Sequence, residues 1–123
     1  MPQIIDTATR KLLVLEETGP ALEKPSDAND ILSLASAAGA DFVAIPASRL
    51  GPDFLRLETR LAGEVFQKFV NYRLGCAILG DLSAALAASK ALRDFVGETN
   101  KTANKDGAIW FAQDLDALLA RLA

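Results

Sequence analysis

The sequence predicts an α/β fold: a mixed, mostly parallel sheet with an antiparallel hairpin at its N-terminal edge, packed with helices in the order β-β-α-β-α-β-α-β-α. Three observations lead there. Short apolar runs alternate with longer segments of helical spacing, the pattern of parallel strands joined by right-handed crossovers. The first two apolar runs are separated only by TATR, too short for a crossover and suited to a hairpin. The stretch 51–82, GPDFLRLETRLAGEVFQKFVNYRLGCAILGDL, joins an amphipathic helix to one buried strand, and the other elements are organised around it.

In chain order, 3–6 and 11–17 (with the run LLVLEE) read as the hairpin strands, and GPALEKPSD as a connection rich in proline and glycine. Ser26 or Asp27 opens a helix in which Ile31, Leu34, Ala35 and Ala38 keep helical spacing, and Gly39 closes it. ADFVAIP, 40–46, is a short buried strand. After the ASRLGP loop, Phe54, Leu57, Leu61, Ala62, Val65, Phe66, Phe69 and Tyr72 share one broad apolar arc. Arg56, Arg60, Gly63, Glu64, Gln67 and Asn71 fill the opposite face. Asp53 caps the first turn of this expected helix, and Gly75 ends it as a C-cap glycine. Glu58 falls within the apolar arc, where its nearness to the helix start lets the carboxylate reach water. The strand 76–80 comes next, and then a helix capped by Ser83 with Ala84, Ala88, Ala91, Leu92 and Phe95 inward. ETNKTANKDG reads as a solvated loop, 108–112 (AIWFA) as the last strand, and Asp114 or Asp116 as the start of a terminal helix through Leu118, Leu119 and Leu122.

Half of the 123 residues are apolar, which fits a single domain over 1–123 able to bury roughly two-thirds of its unfolded surface. The net charge of −3 and the scattered Lys and Arg supply no basic stripe, so nucleic acid is not expected as a partner. No apolar run is long enough for a membrane span, and MPQIIDTATR lacks the features of a secretion signal, so no membrane is expected. The single cysteine, Cys76, fits a reducing cytoplasm and sits in an apolar strand as a small hydrophobe. The chain has no histidine, which removes Ser-His-Asp and Cys-His chemistry and histidine metal sites. There is no Walker loop, no receiver-type acidic strand end and no dense carboxylate cluster, so neither metal nor cofactor is expected.

The blocks AGEVFQKFVNYR, CAILGDLS, SKALRDFVGETNK and AIWFAQDLDAL resemble successive blocks of a bacterial domain-of-unknown-function family, number 4180, over roughly 27–122. That resemblance implies no activity. The element order is also similar to STAS-like domains, of the sulfate-transporter and anti-sigma-antagonist type. These bind partner proteins, and some carry a phosphorylated Ser or Thr where the helix near Asp53 begins. Here Pro52 and Asp53 occupy that place, so a phosphorylation switch is not implied, and Asp53 imitates at most a permanent charge.

Ligands of parallel sheets sit outside the carboxyl ends of the strands. Ser48, Arg49 and Asp53 follow one strand there, and Asp81 and Ser83 follow the next. Each candidate has a structural competitor. Glu64 and Lys68 form an i, i+4 pair of the kind that decorates helix surfaces. Asn71, Tyr72 and Arg73 either satisfy carbonyls at a helix end or contribute to a site. Asp81 and Ser83 either grip a ligand or cap a helix, the commoner role. The composite expectation is a non-catalytic cytoplasmic regulatory or protein-interaction module, uncharacterised in activity. The alternative is a small-molecule-binding protein or enzyme with its site at the carboxyl edge. A deep pocket lined by Arg49, Asp81 and Arg73 would favour that alternative, and a flat surface the module. The expected partner is another protein or a second copy of the chain, meeting part of the 54–73 helix or the strand of Trp110, because Leu55, Val70 and Tyr72 exceed what one sheet covers and Trp110 is a further large apolar group that the sequence assigns to neither face.

Overall fold

The computed structural model describes residues 3–7, 10–51, 53–56, 59–106 and 109–122, with the backbone alone described in 100–106 and 121–122. Five strands form one sheet: β1 (Gln3–Asp6), β2 (Lys11–Val14), β3 (Phe42–Pro46), β4 (Gly75–Leu79) and β5 (Ile109–Ala112). They lie side by side in chain order, β1 antiparallel to β2 and all later neighbours parallel. The helices are α1 (Ala28–Ala38), α2 (Leu61–Asn71), α3 (Ser83–Ala88), α4 (Lys90–Asp106) and α5 (Leu115–Leu122). The expected mixed sheet with its antiparallel edge hairpin is therefore present, with five helices where the sequence suggested four.

Thr7 closes the hairpin: its N–H donates to the Arg10 carbonyl (2.8 Å), and its hydroxyl oxygen accepts the Arg10 N–H (2.9 Å). β2 stops at Val14, short of the expected Glu17. The reason is in the carbonyls: those of Glu16 and Glu17 accept the side chains of Arg49 (3.1 Å) and Ser48 (2.6 Å) in place of a neighbouring strand. The central strands FVAIP and GCAIL are buried along their whole length, as parallel strands covered on both faces must be.

On one face, Leu13, Val43, Ile45, Cys76, Ile78 and Phe111 pack under α1 and α2, with Phe95 and Val96 of α4 against the same cluster. On the other, Leu12, Phe42, Ala44, Ala77, Leu79 and Trp110 pack with α5. Trp110 is thus buried and adds nothing to an exposed surface. Leu55 is also half-buried against the core, which leaves Val70 and Tyr72 as the exposed members of the expected surplus. Gly75 faces Phe42 across the parallel ladder, and any Cβ there would overlap the Phe42 ring. Glycine is therefore required by this contact, and Gly75 is the first residue of β4 and not a helix cap.

The organising helix is shorter than its periodicity suggests. α2 begins at Leu61, because Arg60 adopts a left-handed conformation (φ 61°, ψ 9°) that helix propagation does not pass through. Upstream, turns are closed by the Arg56 N–H on the Asp53 carbonyl (3.2 Å) and the Thr59 N–H on that of Arg56 (3.0 Å). Asp53 therefore caps no helix. Phe54 is fully buried all the same, edge-on to Phe66 at 5.7 Å, so the apolar spacing holds for Phe54 across a break in the backbone, while Tyr72 at the other end of the arc is exposed. Pro52, Leu57 and Glu58, on which part of the longer helix rested, lie outside the described residues.

The third expected helix is two. Ser89 is extended (φ −139°, ψ 111°), and its hydroxyl oxygen accepts the Leu92 N–H (3.1 Å), capping α4 afresh. Leu92 is buried and Phe95 half-buried, but Ala84, Ala88 and Ala91 are exposed, contrary to their expected inward placement. α4 then runs through the segment expected as a loop, to Asp106, since extending a helix already nucleated and anchored costs little.

Phe69 is among the largest fully buried side chains and sits where α2 meets the sheet. Phe69→Ala should cost about 3 kcal/mol or more in urea unfolding; an unchanged midpoint would contradict this packing.

Candidate functional site

At the carboxyl edge the ends of β3, β4 and β5 are level, with Pro46 opposite Leu79 and Leu79 opposite Ala112. Gly80 (φ 156°) turns the chain away here, and a Cβ on it would lie 2.6 Å from the Ala47 Cβ, so a side chain would drive the two loops apart. Its N–H donates to the Ala112 carbonyl (3.0 Å). Asp81 is next in the chain. Its Oδ1 accepts both the Ser83 N–H (2.9 Å) and the Ser83 hydroxyl (2.6 Å). The hydroxyl bond, then the backbone one, holds the Asp81 carboxyl below its ordinary range. The cap at this helix start is thus supplied by Asp81, with Ser83 as the first helical residue.

Beside this cap lies a cleft of about 450 Å³ lined by Gly80–Ser83, Leu86, Val96 and Phe111–Gln113. Its floor is rigid. Phe111 stands edge-on to Phe66 (5.8 Å) and Phe95 (6.1 Å), and those two rings stack at 6.4 Å. Gln113, Leu86 and Val96 were not among the sequence candidates. Gln113 was nonetheless marked by its place, directly after the final strand.

Arg49 sits at the same edge but is otherwise engaged. Its Nε donates to the Pro20 carbonyl (3.0 Å) and its Nη1 to that of Glu16 (3.1 Å), with the guanidinium lying against Gly19. With Ser48 it staples the β2–α1 connection onto the β3 end. Asp53 makes an exposed contact with Arg56 (3.4 Å).

The remaining candidates are elsewhere. Because α2 runs back against the strand direction, Asn71, Tyr72 and Arg73 lie at the amino edge of the sheet. The expected pocket of Arg49, Asp81 and Arg73 is therefore not assembled: Arg49 and Asp81 line different clefts, and Arg73 lines neither. Arg73 is left-handed (φ 57°); its N–H donates to the Val70 carbonyl (3.0 Å) and that of Leu74 to Phe69 (2.9 Å). This is the Schellman closure, with arginine where glycine is usual. Asn71 Oδ1 accepts a hydrogen bond from Gln67 Nε2 (2.8 Å). Lys68 does not pair with Glu64; its Nζ donates to Asn29 Oδ1 on α1 (3.0 Å), tying the two helices. Between them is a second cleft of about 480 Å³, lined by Asn29, Leu32, Ser33, Ser36, Ala37 and Tyr72. Cys76 is fully buried, and burial pushes its thiol well above the ordinary range, away from nucleophilic use. Among the described residues, no group of His, Cys, Asp and Glu is placed to hold a metal ion.

Residues 7–122 match the family described as Domain of unknown function (DUF4180). The chain belongs to that family. No curated protein and no solved structure matches it. In this DUF4180 chain the sequence blocks that suggested the family fall mainly on α2, β4, α4 and β5, which supply the aromatic cluster of Phe66, Phe95 and Phe111 and part of the lining of the first cleft.

Two measurements test this geometry. Arg73→Gly should raise stability by roughly 0.5–1 kcal/mol, since relief of the left-handed strain exceeds the entropy that glycine adds to the unfolded chain; a loss would mean the Arg73 side chain makes a compensating contact. The Asp81 carboxyl is depressed in the folded state, so its contribution is present above the unfolded aspartate value of about 3.9 and fades as pH falls through the lower folded value. Asp81→Asn should accordingly be less stable than the parent at about pH 7, with the gap closing toward about pH 2; a gap independent of pH would show that the ionised cap is not its cause.

Proposed function

We propose that this chain is a non-catalytic, cytoplasmic, bacterial regulatory or protein-interaction module with a STAS-like arrangement, and that it docks its partner through the α1–α2 face. The observation that carries the reading is an aromatic side chain left in water beside a groove. Tyr72 is 68% exposed and Val70 45%, and Tyr72 lines the cleft whose far wall is made by Ser33, Ser36 and Ala37 of α1. Small residues opposite an exposed tyrosine make a surface into which a partner side chain can seat, and tyrosine is enriched where binding energy concentrates.

The engagement of the charged groups supports the non-catalytic half. Arg49 is bonded to carbonyls and Asp81 to Ser83, so the charged candidates of the carboxyl edge hold their own loops. The lone thiol, Cys76, is buried and unpaired, in keeping with a reducing compartment. The STAS-like reading rests on the edge hairpin followed by strands in consecutive order.

A photo-crosslinking residue placed at 72, with one at the exposed Thr18 as control, tests the surface in the producing cells. A discrete adduct from position 72 and none from 18 is expected, and equal yields from both would overturn the reading. Light scattering then identifies the partner. A second copy predicts the mass of two chains at high micromolar concentration, reduced to one in Tyr72→Asp, whereas a one-chain mass in the parent assigns the adduct to a different protein.

A further inference from the structure

We infer that the cleft between α3, α4 and the end of β5 is a binding site for a small molecule that joins an apolar, ring-sized body to a protonated amine. This does not rest on the docking role of the α1–α2 face, which lies at the other end of α2. The cleft has the expected location, outside the carboxyl ends of parallel strands, and at about 450 Å³ it falls within the range of ligand pockets.

Its lining is divided by chemistry. Leu82, Leu86, Val96 and Phe111 form the apolar part, and Phe111 is held in place by the Phe66 and Phe95 rings. α3 buries none of its residues, so an apolar body in the cleft removes from water a wall that the fold itself leaves half covered. The polar part is at one end. Asp81 is the one charged residue among the described residues lining the cleft, and none of them is a cation that would neutralise its charge or attract an anion. Both hydrogen bonds from Ser83 fall on Oδ1, leaving Oδ2 as an acceptor. Like any exposed aspartate Asp81 is ionised at neutral pH, and its hydrogen bonds to Ser83 favour the charged form further. Gln113 lines the same cleft, and its side-chain amide carries a carbonyl oxygen able to serve as a second acceptor. An ammonium has three donors and no acceptor, which matches this rim; a carboxylate or phosphate would meet Asp81 as a like charge.

The experiment compares 2-phenylethylamine, 2-phenylethanol and 3-phenylpropionate, which share an apolar body and differ in the head, by amide NMR titration of the full chain. The amine should give saturable shifts centred on Gly80–Ser83 and Gln113 and bind about threefold more tightly than the alcohol, the usual size of a charge pair at a solvent-exposed carboxylate. The carboxylate should not saturate. Asp81→Asn should remove the preference for the amine, and Leu86→Trp, which fills the cleft, should abolish binding of both amine and alcohol. Gln113→Glu lies outside the α3 cap and should tighten the amine severalfold, so the inference remains testable even if Asp81→Asn disturbs folding. Equal affinity for amine and alcohol, shifts centred away from the cleft, or no saturation by the amine at millimolar concentration would each overturn it. Crosslinking from position 72 is unaffected by any of these outcomes, so the two proposals fail separately.

Discussion

The constraint on which the rest of the structure depends is the consecutive order of the strands. Each parallel crossover from β2 to β5 steps one place in the same direction and takes the same hand, so α1, α2 and α4 land on one face of the sheet. Among the described residues the opposite face receives only the short helix α5, which follows β5. The side chains match this inequality. The crowded face carries phenylalanines from α2, α4 and β5 in mutual contact, while the α5 face has Ala44 and Ala77 at its centre, with Phe42 and Trp110 beside them. Arg10 places its guanidinium 5.5 Å from the Phe42 centroid on that thinner side, adding a cation–π contact worth roughly 0.5–1 kcal/mol at exposed sites.

Much of this was legible in the residues because burial on both faces leaves a strong trace. FVAIP and GCAIL can hardly be read otherwise, and Gly39 closes α1 (φ 69°) through the bonds expected of a C-cap glycine. What escaped reading was backbone, not burial. Phe54 and Leu61 are two helical turns apart in spacing, so the apolar arc continues across the left-handed Arg60 as though no break were there. The Ser89 cap is hidden within a run of alanines that favours one continuous helix. The polar segment after Glu98 has no apolar face to display, yet it continues a helix anchored by Leu92.

The site was legible in part for a similar reason. An Asp and a Ser just beyond a strand announce a capped turn, and Asp81 and Ser83 form one. An Arg beyond a strand reads the same whether its guanidinium meets a ligand or a carbonyl; only the fold showed Glu16 and Pro20 beside Arg49. Arg73, expected in a pocket with Arg49 and Asp81, precedes β4, and residues preceding a parallel strand sit at the edge opposite its carboxyl end. The apolar lining was missed because Leu86, Val96 and Phe111 come from three elements whose meeting depends on the split between α3 and α4.

That geometry also places the two surfaces in a definite relation. α2 spans its 11 residues from the carboxyl edge to the amino edge, about 16 Å at the usual helical rise. At its middle Phe66 contacts Phe111, the floor of the apolar cleft; just past its end Tyr72 stands exposed beside α1. Both ends are closed by an arginine in the left-handed region, Arg60 before the helix and Arg73 after it. Such residues persist only where the surroundings hold them, and here each fixes where the helix starts or stops. Any coupling between a ligand in the cleft and a partner on the helical face would have to move α2 as a body or shift the α3–α4 break at Ser89, because the close-packed phenylalanines leave no room for a smaller, continuous adjustment.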